Sequence, residues 1–455
     1  MRRRLAAAVL LAAGLGASAA PAGAAAADLP DATVKARQHV FGLANVAADG
    51  SLPRGKVLLS WITVSTFAAA LDGHVVLLDG YVHKVEDRPN YVPTTAREVE
   101  ALRPEAVFIG HGHFDHAKYA GRIAARTGAV VVGTPEHCAG ARAEAGAAAD
   151  RVRCAATVPE GAPVGARAHR IDVLGDGVEV SALKHVHSAA EAPDGEQHES
   201  VLGHGPLPDL PSLLLHPPGP SVLPGLDPSG DEGGTMLYRF RIGAFSLVWH
   251  DSSGPLRERG AKVVEALKAM PPTDVQVGAV LGFGELTNGV RDPVDYLVAL
   301  RPKVFVPNHH DFITEYGTGR AFEPAVKAEL AKRGPSSTEF RWLADPRDYL
   351  KTERLTFDLA SDRWLDASDA PRLQLTRRCA GGRLRVELRG DVDAVRDVRF
   401  TLGRRQVARD TAAPFRQTIA RPALSRSASR RLRAVVDLRE GRGERTVPAR
   451  SRPRC

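Results

Sequence analysis

Glu105-Ala106-Val107-Phe108-Ile109-Gly110-His111-Gly112-His113-Phe114-Asp115-His116 is the stretch from which the rest of the chain is read. Its first five residues form a short apolar run with the length of a buried strand, and Gly110 supplies a turn. Ala117 to Arg126 follows as an Ala-rich, helix-like segment. Four metal-competent side chains therefore sit on one strand-to-helix loop. Neutral imidazoles and carboxylates are good ligands for divalent ions. Alternate residues on an extended segment face the same way, so His111 and His113 can share one ion while Asp115 and His116 turn to a second. One loop cannot complete either site. Three further candidates each stand at the end of a β-run: His187, with His185 as its alternate; Asp251, beside His250; and His309, with His310 as its alternate.

Working outward, Val57 to Ala70 is β-rich and passes through Asp72-Gly73, a hairpin signal, into His74 to Asp79, giving a strand pair that ends in an acid. Thr95 to Leu102 reads as a short helix opened by a Thr cap with Glu98 three residues on. Gly128 to Gly133 is another buried strand, and residues 138 to 153 an Ala-rich helical excursion. Ile171 to Leu183 reads as two strands around Gly175 and Gly177, delivering His185 and His187. Met236 to Trp249 is a hairpin ending at His250-Asp251. A helix (256–269), a strand (274–281), a helix (292–300) and a strand (303–306) then lead to His309. Residues 189–234 break the pattern, being rich in Pro and Gly without periodicity, and a loop this long suggests a lid or substrate wall. From 365 to 455 short alternating strands predict a small C-terminal β-sandwich of Ig-like type.

With 455 residues and 44% hydrophobic content the chain is long enough for two domains. Arginines at 2 to 4, an apolar run from Leu5 to Leu15 and small-residue sites up to Ala27 make residues 1–27 a secretory signal peptide. Residues 28–55 read as a loose mature N-terminal segment, leaving 56–364 for the main domain. Export agrees with four cysteines and no C-x-x-C pair. Three disulfide pairings are open, and proximity favours Cys138 with Cys154 and Cys379 with Cys455; free buried thiols are the alternative. The net charge of +8 is unevenly spread, because residues 371–455 hold 23 Arg against 8 Asp and Glu, which leaves an acidic body and a basic C-terminal domain. That asymmetry suggests an anionic envelope surface as partner for the C-terminal domain, and it disfavours nucleic acid at the acidic body.

The order Asp79, His111-x-His113-x-Asp115-His116, His187, Asp251, His309 resembles that of the metallo-β-lactamase superfamily of binuclear hydrolases. Trp61 to Asp79, His187-Ser188 and Pro307-x-His309 are most similar to the branch holding ascorbate-6-phosphate lactonase and N-acyl-phosphatidylethanolamine phospholipase D. The resemblance, over residues 56 to 345, implies an α/β fold, an αββα sandwich. It also implies a first ion on His111, His113 and His187, a second on Asp115, His116 and His309, with Asp251 bridging and Asp79 bracing the loop. Two divalent ions, zinc first with manganese or iron as alternatives, would give a bridging hydroxide that attacks a phosphodiester, lactone or (thio)ester of a small or lipid-like molecule. Asp115 is the candidate catalytic residue, orienting the hydroxide, and His310 the candidate proton donor. The rival reading is a catalytically silent envelope-binding protein on the same scaffold.

Overall fold

The computed structural model describes residues 29–82, 93–175, 177–189, 233–282, 284, 288–311, 318–334, 336–343, 346–364, 371–380, 383–403, 405–419, 432–438 and 444–449. The segment expected to be a signal peptide, 1–27, and nearly all of the 189–234 insertion lie outside them. Among the described residues no helix is long and apolar enough to cross a membrane.

Two seven-stranded sheets face each other. The first contains β1 (Lys56–Thr63), β2 (Thr66–Leu71), β3 (His74–Leu78), β4 (Ala106–Phe108), β5 (Val130–Gly133), β6 (Arg153–Ala156) and β14 (Thr356–Asp358), in the order β14-β1-β2-β3-β4-β5-β6. The second contains β7 (Arg167–Ala168), β8 (Glu179–His185), β9 (Thr235–Ile242), β10 (Phe245–His250), β11 (Val275–Ala279), β12 (Val304–Asn308) and β13 (Glu339–Phe340), in the order β13-β12-β11-β10-β9-β8-β7. Val57, Leu59, Trp61, Phe67 and Phe108 from the first sheet pack against Tyr238, Phe240, Leu247 and Trp249 from the second. The alternate residues Leu58, Ile62, Leu77 and Val107 face outward onto helices α1 (Asp31–Phe41), α2 (Ala96–Ala101), α4 (Ala120–Thr127) and α5 (Pro135–Ala145), the single turn α3 (Phe114–Ala117) coming between α2 and α4 in the chain. Helices Ala261–Ala269, Arg291–Leu300 and Thr318–Ala331 cover the outer face of the second sheet. This is the expected αββα sandwich, and burial on both faces explains why its strands read as nearly unbroken apolar runs.

Several local expectations change. Residues 31–41 form a helix instead of a loose segment, because Ala36, Val40 and Phe41 find an apolar face on the first sheet. The run from Val57 to Ala70 is two strands with a turn at Val64-Ser65, so three strands precede Asp79. Ile171 to Leu183 yields one strand, β8; the backbone at 171 makes one ladder-like bond to Val180. Thr95 caps α2 as anticipated, accepting from Glu98 N, but the Glu98 carboxylate turns to Thr94 and His39.

Cys138 and Cys154 form a disulfide that ties α5 to β6. Cys379 is disulfide-bonded too, and its expected partner, Cys455, lies outside the described residues. Among the described residues the C-terminal part is a sandwich of seven strands, as expected: a three-stranded sheet, β15 (Leu373–Ala380), β16 (Arg383–Gly390) and β19 (Arg416–Ile419), and a four-stranded one, β17 (Val395–Leu402), β18 (Arg405–Asp410), β20 (Leu432–Leu438) and β21 (Glu444–Pro448). In β16 the apolar Leu384, Val386 and Leu388 are buried while Arg383, Arg385 and Arg389 are exposed, so its arginines occupy one solvated face.

Candidate metal centre

Strands β3, β4 and β5 run parallel, as do β10, β11 and β12, and the candidate residues lie just beyond the carboxyl ends of strands in both sheets. Asp79 follows β3, the His111 loop follows β4, His187 follows β8, Asp251 follows β10 and His309 follows β12. Strand ends converge because the two sheets pack face to face, so five segments distant in sequence meet in one place. Gly110 makes that approach physically feasible, since any Cβ there would overlap the Asp251 carboxylate.

Two clusters form. In the first, His111 Nε2 lies 3.0 Å from His113 Nδ1 and 3.3 Å from His187 Nε2. In the second, His116 Nε2 lies 3.2 Å from Asp115 Oδ2 and 3.1 Å from His309 Nε2, with His309 3.3 Å from Asp115. Ligands at about 2.0–2.1 Å from a tetrahedral ion stand about 3.3–3.4 Å apart, so both clusters fit a divalent ion in spacing and donor type. The His187 Nδ1–H donates to the Ser188 carbonyl at 2.8 Å, which leaves Nε2 with its lone pair directed at the first cluster.

Carboxylates orient the rings from behind. Asp79 Oδ2 accepts from His116 Nδ1 at 2.8 Å and from Ser65 Oγ at 2.6 Å, while Asp79 Oδ1 accepts from Gly110 N at 3.1 Å. The bracing position implied for Asp79 is therefore occupied by it. Asp251 Oδ2 accepts from His111 Nδ1 at 2.8 Å and stands 3.1 Å from His116 Nδ1, linking the two clusters. It meets both rings on their Nδ1 side, and with His111 and His116 it makes a further group with the spacing to hold a metal ion. A proton held on Nδ1 by a carboxylate leaves Nε2 free for a metal.

The electrostatics follow from burial and this charge pairing. Burial alone would raise Asp115, but His116 and His309 beside it hold its carboxyl well below the usual range. Asp251 is likewise held well below that range by His111 and His116 against the effect of burial. Asp79 goes the other way, pushed up to about 6 by burial and then by the nearby Asp251. Burial drives His111 well down, and His113 down, towards neutral donors. His187 keeps a partly exposed edge, yet desolvation, then the charge of His113, pushes its imidazole down to about 3. His116 is raised well above normal: burial opposes this, but Asp115, Asp251 and Asp79 surround it.

The alternates do not join the clusters. His185 bonds Tyr296 Oη at 2.7 Å. His250 donates from Nδ1 to the Ser252 carbonyl at 2.8 Å and meets Gln276 through Nε2 at 2.9 Å. His310, the candidate proton donor, is buried with Trp61 5.1 Å away and Trp342 5.9 Å away between ring centroids, and burial pushes it down to about 4. A neutral imidazole enclosed by indoles is poorly placed to hand over a proton. Ser65 is the contributor that the sequence concealed, bonding both Asp79 and His116 from a turn without Gly, Asn, Asp or Pro.

No established protein-family profile matches the chain. A curated UPF0173 metal-dependent hydrolase from Pyrobaculum neutrophilum is 32% identical over 138 residues, 30% of this chain, and the match spans 54% of that relative, about half its length. Among solved structures, a metallo hydrolase from Ignicoccus hospitalis aligns over 64% of this chain and 96% of its own at 15% identity and a TM-score of 0.40. The di-iron β-hydroxylase CmlA from Streptomyces venezuelae aligns over 64% of this chain and 54% of its own at 11% identity and a TM-score of 0.36.

Proposed function

We propose that this chain is an exported, binuclear metal-dependent hydrolase of the metallo-β-lactamase superfamily, acting on a phosphodiester, lactone or (thio)ester. The observation that carries the reading is the pair of three-residue clusters, one on His111, His113 and His187 and one on Asp115, His116 and His309, joined through Asp251. The name of the Pyrobaculum relative points the same way. Two divalent ions, zinc foremost, would supply Lewis acidity and a nucleophilic water at neutral pH. The chain's own contribution is preorganisation. Asp79, Ser65 and Asp251 fix the tautomers of His111 and His116, burial keeps His111, His113 and His187 unprotonated as donors, and Asp115 remains ionised beside His116. Asp115 is thereby held as an acceptor able to orient a water or a ligand proton.

The exposed arginine face of the C-terminal sandwich supports an anionic envelope surface as its partner. The test of function is elemental analysis of purified protein together with a panel of phosphodiester, lactone and thioester substrates with and without chelator. Two equivalents of metal and chelator-sensitive turnover are expected. Absence of metal, with His113→Ala indistinguishable from the natural chain, refutes the reading; metal without turnover on any substrate favours the silent scaffold.

A further inference from the structure

His309 and Val64 are both left-handed, with φ of 59° and 51°. Val64 is the more unusual, because a β-branched side chain in this region is a steric outlier that surrounding structure must over-determine. The determinant is Asp311, buried two residues beyond His309. Its Oδ1 accepts from Val64 N at 3.0 Å, and its Oδ2 accepts from Thr63 Oγ1 at 3.4 Å and from the Tyr349 hydroxyl. The Val64 carbonyl in turn accepts from His309 N at 3.0 Å and from Trp61 Nε1 at 3.1 Å. A buried strap therefore runs from Tyr349 through Asp311 and the Val64 turn to the backbone of His309. It contains no atom of the His111, His113 and His187 cluster.

We propose that Asp311 is a positioning residue that sets the backbone of His309, and so governs affinity for the ion held by Asp115, His116 and His309 while leaving the other ion nearly untouched. This rests on the binuclear reading above. His309 Nε2 lies close to both His116 Nε2 and Asp115 Oδ2, at 3.1 and 3.3 Å, and its left-handed backbone is tied through its N–H to the Val64 carbonyl. Removing the Asp311 carboxylate frees the Val64 N–H and lets that turn relax towards ordinary φ. The carbonyl then rotates away from His309.

The test is stepwise Zn(II) titration of the full apo chain against a chromophoric chelator, for the natural chain and for Asp311→Ala, Asp311→Asn and Tyr349→Phe. The natural chain should bind two ions. Asp311→Ala should weaken one of them by about tenfold or more, the scale expected for a lost ligand-orienting partner. Asp311→Asn should restore most of that loss, because an amide oxygen still accepts from Val64 N while its NH2 group meets the Thr63 and Tyr349 hydroxyls. Tyr349→Phe should weaken the same ion by less, and it decides the matter if Asp311→Ala does not fold. Equal affinities in all four chains, or equal weakening of both ions, overturn the proposal while leaving the metal reading intact. A natural chain that binds no zinc overturns the metal reading itself, and this proposal with it.

Discussion

Replacing Asp79 with Asn should move stability and metal affinity in opposite directions. The carboxyl is fully buried and raised from 3.8 to about 6, first by desolvation and then by Asp251. An acid whose folded pKa exceeds its unfolded one stabilises the fold when protonated, below about pH 3.8, and loses that contribution as pH rises through about 6. At 1.36 kcal/mol per unit the difference is on the order of 3 kcal/mol. Asn is uncharged at every pH, so the stability of Asp79→Asn relative to the natural chain should improve by that order between pH 4 and pH 8. The change between the two pH values matters more than the offset, because hydrogen bonds altered by the amide contribute about equally at both. Metal affinity should fall. Asp79 Oδ2 now accepts from His116 Nδ1 and Ser65 Oγ, whereas an amide NH2 placed there donates. The His116 Nδ1–H then keeps only the more distant Asp251 Oδ2, at 3.1 Å, as a carboxylate acceptor, which weakens the hold on the tautomer that offers Nε2 towards Asp115 and His309, and a loss of about 10- to 100-fold in affinity follows. Urea unfolding of metal-free protein at the two pH values reads the first effect, and chelator competition reads the second. A stability difference that stays flat with pH refutes the electrostatic argument, and unchanged affinity refutes the tautomer argument.

Two further outcomes follow from the fold outside the site. His137, which completes the α5 capping box with Thr134 and meets the Gly234 carbonyl at 3.0 Å, is pushed down to about 4 by burial. Its lowered pKa removes stability as pH falls below about 6.5, so His137→Gln should lose about 2 kcal/mol less than the natural chain between pH 8 and pH 5 in urea unfolding; identical pH dependence counts against it. Truncation after residue 364 should abolish salt-sensitive sedimentation with anionic vesicles while sparing metal content, and vesicle binding that survives truncation refutes the envelope role proposed for the arginine face.

The histidine loop and the αββα order were legible in the sequence because both depend on local rules. Burial on both faces makes a short unbroken apolar run read as a strand, and a Gly followed by H-x-H-x-D-H carries its chemistry in six residues. His187 and His309 were placed by their positions at strand ends. The choice between them and His185 or His310 was a matter of which way each strand finished, and that is fixed by Tyr296 for His185 and by Trp61 and Trp342 for His310, partners 111 residues away in the first case and drawn from two separate segments in the second. Nor could sequence show that Asp251 meets His111 and His116 through Nδ1, because ring orientation depends on the crowding of Gly110, Ser65 and Asp79 around them. The turn at Val64-Ser65 carries no Gly, Pro, Asn or Asp, and its Val64 N–H donates to the carboxylate of Asp311, 247 residues later. Most strands, the histidine loop and the ligand types could be read from local pattern, while the turn within 57–70 and the single strand within 171–183 could not. Which nitrogen of each ring is offered depends on buried hydrogen bonds between segments that meet when the two sheets close, and no local pattern encodes it.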